Sequence, residues 1–297
     1  MAKQIPVDPS AQIDNLADDG THELVEDVAY QRLAIVNVIF CGKPQSENSQ
    51  WVLIDAGIKG TAGRIRKAAE KRFGENSKPA AIILTHGHFD HVGALHELAE
   101  HWDVPIYAHE WEMPYLNGHS SYPPPDSTVG GGLMAAMAGL YPRGPVNVGL
   151  WLKPLPADGS VPFMPDWEWV PTPGHSPGHI SLWRPGDGML IAGDAFITTD
   201  QESAFAVLTQ RPEIHGPPRY YTPDWESARE SVQHLAALQP EIVVTGHGPA
   251  MQGPDMQEAL KELAANFNQV AVPGKGRYVP EPARADATGT TYIPPKK

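Results

Sequence analysis

The sequence predicts an α/β fold, a sandwich of two β-sheets flanked by helices. Three observations lead there. Short apolar runs of strand length alternate with stretches of helix length from residue 51 to 108, and again from 167 to 270. The two stretches resemble each other in their order of elements, as two half-chains that each contribute a sheet would. Ligand-type residues follow the ends of several apolar runs, mostly beside a glycine that lets the backbone turn sharply. Loops at one rim of a rigid scaffold are where functional groups gather.

Residues 1–30 are polar and weakly patterned, and read as a surface arm with a short edge strand near 22–28. Residues 33–40 and 51–54 read as two strands joined by the polar hairpin 42–50, and Asp55-Ala56-Gly57 ends the second. Residues 61–73, rich in Ala, Lys, Arg and Glu, form a helix. A strand over 80–84, a helix over 92–102 and a strand over 104–108 follow. Residues 114–150 break the rhythm: Pro123-Pro124-Pro125 and Gly130-Gly131-Gly132 flank an apolar segment, 133–140, whose Leu133, Met134, Met137 and Leu140 share one helical face. A connection this long is uncommon in a compact domain unless it has a use. A helix packed on the body, a substrate lid and a dimer contact are all open readings of it.

The second half supplies strands over 167–171, 180–184 and 189–192, then a second long loop over 200–221. Thr222-Pro223-Asp224 opens a helix over 224–238, because proline suits a first turn and aspartate a cap. A strand over 242–245 and a helix over 256–270 complete the body. Residues 271–297, rich in Pro, Gly and Lys, read as a tail that wraps the surface or is disordered. The expected organisation is therefore one domain over 1–270, with an insertion at about 114–150, and a C-terminal tail.

Composition narrows the partners. A chain of 297 residues with 41% hydrophobic and 19% charged residues is that of a soluble globular protein. A formal net charge of -13 without Lys/Arg clusters counts against nucleic acid. Residues 1–16 lack a signal-peptide core, and the apolar run 33–40 is interrupted by Asn37 and far too short to span a bilayer. A cytoplasmic protein acting on a small molecule, with no membrane partner, is the expectation; a homodimer stays open. The single cysteine, Cys41, excludes an intrachain disulfide and reads as a small buried hydrophobe.

The chemistry is concentrated in Thr85-His86-Gly87-His88-Phe89-Asp90-His91, directly after the apolar run 81–84. Three imidazoles and a carboxylate fall within six consecutive residues. Neutral imidazole and carboxylate are ligands for zinc and similar divalent ions, and groups this close repel one another unless something positive sits among them. Three later segments end predicted strands in the same way: Pro173-Gly174-His175-Ser176-Pro177-Gly178-His179, Ala192-Gly193-Asp194-Ala195 and Thr245-Gly246-His247-Gly248-Pro249.

Thr-His-x-His-x-Asp-His, then Pro-Gly-His, Gly-Asp and Gly-His in this order resembles the metal signature of the metallo-β-lactamase superfamily, over roughly residues 30–270. The resemblance implies an αββα four-layer sandwich with the metal site at the edge between the sheets. It implies two divalent ions, zinc first and iron or manganese as alternatives. Carried over by position, His86, His88 and His175 hold the first, Asp90, His91 and His247 the second, and Asp194 bridges them. A hydroxide between metals about 3.5–4 Å apart would be the nucleophile, with Asp90 orienting it or shuttling a proton. Asp55, in Leu53-Ile54-Asp55-Ala56-Gly57, matches a family position near the site and reads either as an acceptor that orients a histidine or as a turn residue. His179 reads as structural, the seven ligand positions being filled. His96, His101 and His234 fall in helices and read as solvated or packed. His109 and His119 are pocket candidates, as are His215, Tyr220 and Tyr221 in the second long loop, where a tyrosine could donate to a developing oxyanion.

The superfamily spans many reactions, so fold alone does not choose among them. Asp194 resembles the bridging carboxylate of its thioesterase, lactonase and phosphodiesterase branches. The chain resembles the glyoxalase II branch around Pro-Gly-His and Gly-Asp but lacks that branch's basic helical C-terminal domain. The expectation is a dinuclear zinc hydrolase of small esters, lactones first and thioesters next, with weak β-lactam hydrolysis as a side activity. The alternatives are a mononuclear-iron oxidoreductase similar to persulfide dioxygenases and a non-catalytic metal-binding relic.

Overall fold

Alternating apolar residues along each strand sort onto two faces, and both faces of both sheets are covered. The computed structural model describes residues 5–13, 15–129, 136–200 and 212–295. After β1 (Ile5–Pro6), one sheet runs in chain order through β2 (His22–Val25), β3 (Val28–Leu33), β4 (Val36–Cys41), β5 (Val52–Ile54), β6 (Ala81–Ile83), β7 (Ile106–Ala108) and β8 (Leu152–Pro154). It is antiparallel as far as β5 and parallel from β5 to β8. Parallel neighbours need crossovers. Helices α1 (Ala62–Phe73) and α2 (Leu95–Trp102) supply the first two, and the short α3 (Met113–Leu116) lies in the third connection.

The second sheet contains β9 (Glu168–Pro171), β10 (Ile180–Arg184) and β11 (Met189–Gly193); β12 (Glu213–Ile214) lies outside it and pairs with β1. Helix α4 (Trp225–Ala237) then crosses over to β13 (Ile242–Thr245), parallel to β11, and β14 (Met251–Gln252) closes that edge. Asp224 caps α4 by accepting from the Glu226 and Ser227 amides, as its sequence position predicts. The helical end of the chain divides into α5 (Pro254–Ala265) and α6 (Phe267–Val270), followed by a hairpin of β15 (Arg284–Asp286) and β16 (Gly289–Tyr292).

Three packed layers of apolar side chains make this a four-layer αββα sandwich. Val38, Phe40, Leu53 and Ile82 meet Ile65, Phe73, Leu98 and Trp102 of α1 and α2. Ile39, Ile54 and Ile83 face Ile180, Leu182, Ile191 and Val244 between the sheets. Leu190 and Val243 meet Val232, Leu235, Leu260 and Leu263 of α4 and α5. Cys41 is buried, and burial pushes its thiol up to about 12, which makes it an inert core residue. Among the described residues no helix is long and apolar enough to cross a membrane.

Local departures from the sequence reading have clear causes. The apolar run 33–40 is not one strand: β3 ends at Leu33, opposite Val36, and the chain reverses at Ala34, with φ 62°. An alanine in the left-handed region gives no turn signal. Helix α2 starts at Leu95 rather than 92 because residues 88–93 turn back on themselves, the His91 and Val92 amides both donating to His88 O. The tail wraps the surface as an ordered segment: Thr290 N donates to Ser120 Oγ at 3.1 Å and the Tyr278 hydroxyl to Pro124 O at 2.7 Å. In the insertion, Leu133 and Met134 lie outside the described residues, while Met137 and Leu140 are 41% and 79% exposed.

Asn37, which interrupts the apolar run, is fully buried and fastens the sheets together. Its Nδ2 donates to Thr245 O at 2.9 Å and Gly248 O at 2.8 Å, on either side of His247. Replacing it strands two buried carbonyls. Asn37→Ala is expected to lower unfolding free energy by about 2–4 kcal/mol, measured by urea denaturation; a loss under about 1 kcal/mol would contradict this role.

Candidate metal centre

Four loops bring the ligand-type residues to one end of the sandwich. Residues 86–91 follow β6, His175 lies between β9 and β10, Asp194 follows β11 and His247 follows β13. All seven side chains are buried. Gly246 permits the convergence, since a Cβ there would stand 2.1 Å from Asp194 Oδ1 and 2.7 Å from His91 Cε1.

Three sets place their donor atoms within 4.8 Å of one another: His86, His88 and His175; His86, His91 and Asp194; Asp90, His91 and His247. Asp194 stands among them. Its Oδ2 lies 3.1 Å from His247 Nε2 and 3.4 Å from His175 Nε2, and its Oδ1 lies 3.5 Å from His91 Nε2. Asp90 Oδ2 is 3.5 Å from His247 Nε2. The positions expected from the sequence for two ligand sets and a carboxylate between them are thus brought together.

The donor set fits divalent cations. His86 Nε2, His91 Nε2 and Asp194 Oδ1 are buried without a hydrogen-bond partner, and buried polar atoms are rarely left so. His88 Nδ1 and His175 Nε2 face each other at 2.9 Å. With both rings neutral, at least one of these nitrogens must turn a lone pair towards the shared space. Nitrogen and carboxylate oxygen in such sets suit zinc and its borderline neighbours.

The electrostatics divide the residues. Burial, and then neighbouring histidines, hold His86 and His175 well below the usual histidine value and bring His88 to about 3, so these rings are neutral, the form that coordinates. Burial also disfavours protonated His91 and His247, but the Asp194 carboxylate outweighs it, helped by Asp55 at His91 and Asp90 at His247, and both rise. Burial pushes Asp194 up, and His247 and His91 more than reverse it, leaving the carboxyl ionised well below its usual range. Burial raises Asp90. Without cations, the positive charge available to Asp194 is that of His91 and His247, the two imidazoles whose protonation it favours.

Hydrogen bonds orient the rings. Asp55 Oδ2 accepts from His91 Nδ1 at 2.8 Å and from Thr85 Oγ1 at 2.8 Å, while its Oδ1 accepts from Thr85 N at 2.8 Å. His247 Nδ1 donates to Ile35 O, in the β3–β4 turn, at 2.5 Å. His179 Nε2 accepts from Asp194 N at 2.9 Å, so its Nδ1 bears the proton and donates to Thr172 Oγ1 at 2.8 Å. It thereby sets the backbone at Asp194 as a neutral ring, which burial brings to about 3.

Other candidates separate clearly. Tyr220 and Tyr221 line, with His88, His175, Tyr122 and Tyr278, a nearly closed cleft of about 10 Å³. The Tyr221 ring lies 4.6 Å from that of His88, and its hydroxyl donates to Pro142 O at 3.3 Å instead of pointing into the centre. His215 is buried outside this cleft, beside Arg219. His109 lines an adjoining cavity of about 510 Å³ that shares Pro123 and Pro223 with the cleft. His96, His101, His119 and His234 are exposed. Sequence reasoning missed Glu112 and Tyr122. Glu112 is buried, where desolvation raises its carboxyl, and it contacts both histidine loops, yet nothing in His109-Glu110-Trp111-Glu112 distinguishes it from its exposed neighbour Glu110.

Comparison with known proteins agrees with this geometry. The family model of the Metallo-beta-lactamase superfamily matches residues 35–247. The chain is 46% identical over 263 residues to the probable metallo-hydrolase YflN of Bacillus subtilis, covering 89% of this chain and 99% of that one. It is 26% identical over 167 residues to a hydroxyacylglutathione hydrolase of Bdellovibrio bacteriovorus, covering 56% and 47% of the two chains. A beta-lactamase domain protein from Burkholderia ambifaria shares the fold with a TM-score of 0.59 at 19% identity, over 85% of this chain and 77% of that one.

The protonation pattern fixes a pH dependence for the cation-free protein. His86, His88, His175 and His179 stay neutral in the fold but take up protons near 6.5 when unfolded, so the unfolded chain binds more protons below that value and stability falls with pH. His91 and His247, raised in the fold, contribute fully below it, and the buried Asp90 and Glu112 carboxyls, also raised, oppose the fall but are outnumbered by the four neutral imidazoles. Thermal unfolding in chelator is expected to show a midpoint falling by roughly 5 °C or more between pH 6 and pH 4. A level or rising midpoint would contradict the assignment.

Proposed function

The chain belongs to the metallo-beta-lactamase superfamily, and from that premise we propose that it is a metal-dependent hydrolase of small esters, lactones first and thioesters second, working with two zinc ions. The observation that carries this reading is Asp194, whose two oxygens reach His175, His91 and His247 and so belong to both ligand sets. Bound divalent ions would acidify a water towards pKa 7 and polarise a carbonyl, which is the chemistry ester hydrolysis needs.

The chain's own residues supply the rest. His86, His88 and His175 offer neutral nitrogens on one side, and Asp90, His91 and His247 one carboxylate and two imidazoles on the other. Asp90, raised by burial and 3.5 Å from His247 Nε2, is placed to hold or release a proton at Oδ2 as the leaving group departs. The rings of Tyr122 and Tyr221, 4.5 and 4.6 Å from that of His88, exclude water from one side and favour a substrate with an apolar body. The adjoining 510 Å³ cavity, with Trp111 and several prolines in its wall, has the size and character to take that body. The Bdellovibrio relative's name supports thioesters as a class. Among the described residues Arg284 is the sole Lys or Arg in the wall of that cavity, which disfavours a glutathione moiety with its two carboxylates.

Metal analysis with a panel of lactones, thioesters and β-lactams tests the proposal. The expected result is two zinc ions per chain and a preferred lactone or thioester. His88→Ala and Asp194→Ala are each expected to lower kcat/KM on that substrate about 10²–10⁴-fold. Unchanged activity in both variants would end the hydrolase reading, and a single iron with oxygen uptake would replace it with an oxidoreductase.

A further inference from the structure

Glu112, a carboxylate outside both ligand sets, joins the two loops that carry His88 and His175. Its Oε1 accepts from Ser176 Oγ and Gly178 N, each at 2.8 Å. Its Oε2 accepts from Gly87 N at 3.0 Å and from the Tyr122 hydroxyl in a short contact. Four donors are about the number an ionised carboxylate can take. Two belong to the loop just after His175, and one is the amide between His86 and His88. The fourth, Tyr122, also accepts from Gly87 N at 3.0 Å, and its ring packs 4.5 Å from that of His88. The fit leaves no slack at Gly87, where a Cβ would stand 2.5 Å from the Tyr122 hydroxyl oxygen.

The two loops come from different sheets, one after β6 and the other before β10. Their relative position sets how closely His88 Nδ1 and His175 Nε2 approach, and these nitrogens stand 2.9 Å apart. Burying a carboxylate is costly unless every acceptor site is used, so a fully engaged carboxylate tolerates few loop positions. The other ligand set has separate supports: Asp55 on His91 and Ile35 O on His247. No hydrogen bond of Glu112 reaches Asp90, His91 or His247.

We infer that Glu112, assisted by Tyr122, is a positioning residue that acts on the three-histidine set alone, whereas Asp55 serves both sets, binding His91 directly and reaching His86 through Thr85 Oγ1, which stands 3.1 Å from His86 Nδ1. Removing Glu112 then weakens one half of the centre and spares the other. This rests on the metal-binding reading of the site but not on the choice of substrate.

Zinc and cobalt titrations of the full chain, followed by calorimetry and chelator competition, test the inference without any substrate. The binding step lost in His175→Ala identifies the three-histidine set. Glu112→Gln is expected to weaken that step about 10–100-fold and leave the other within roughly threefold, with the cobalt visible bands of that step alone altered. Asp55→Asn is expected to weaken both steps, because it loosens His91 and, through Thr85, His86. Equal weakening of both steps in a folded Glu112→Gln protein, or no change in the His175-linked step, overturns the inference. Should Glu112→Gln not fold, Tyr122→Phe decides: it removes one of four donors, and a loss of roughly threefold to tenfold confined to the same step is expected. No loss overturns the inference. Absence of ester hydrolysis leaves these results intact, whereas absence of metal binding by the unaltered chain defeats both readings.

Discussion

The Asp194 carboxylate lies within 3.5 Å of imidazole nitrogens from three different loops, those of His91, His175 and His247. A buried anion must be balanced, and among the described residues the balance within reach is imidazole, protonated or carrying a cation. The same constraint explains why neutral and protonated histidines coexist in one centre. Burial strips the protons from His86, His88 and His175, the last although Asp194 stands 3.4 Å from its Nε2, whereas His91 and His247, which face Asp55 and Asp90 besides Asp194, are raised. A divalent cation would take over the charge those protons supply, so metal uptake should release protons from the second set.

Around this constraint the fold provides rigid supports, each bonded to a ring or to the backbone that carries one. Asn37 clamps the loop of His247 to the first sheet, and the β3–β4 turn presents Ile35 O to the same ring. Asp55 grips the end of β6 and the ring of His91 at once. His179 fixes the amide of Asp194, and Glu112 ties the two remaining histidine loops together. Positioning of this kind restricts ring orientation, and loss of such a partner typically costs about 10–100-fold in metal affinity.

The periphery governs access. Tyr278 of the C-terminal segment reaches over Pro124, and with Tyr122, Tyr220 and Tyr221 it nearly closes the cleft above His88 and His175. The cavity next to that cleft is walled by the back of the His175 loop and by residues 282–285 of the tail. The C-terminal segment, which reads in the sequence as a surface tail, thus helps to wall the space beside the centre.

Much of the centre was legible because its chemistry is local. Three imidazoles and a carboxylate on one strand end are recognisable without any fold, and the strand-helix alternation placed His175, Asp194 and His247 at comparable strand ends. The layers were legible because side-chain periodicity follows backbone geometry, which is why α1 and α4 appear where their residues place them. The turn at Ala34 was not, since an apolar run conceals a reversal that only pairing of β3 with β4 imposes. Glu112 was not, because burial and four distant donors, not its neighbours in sequence, make it different from Glu110. The sequence by itself determined the kinds of ligand and the alternation that carries them, both set by covalent order and local preference. Only the tertiary structure decided which carboxylates orient the rings, which turn supports His247 and what closes over the site, because those depend on contacts between residues far apart in the chain.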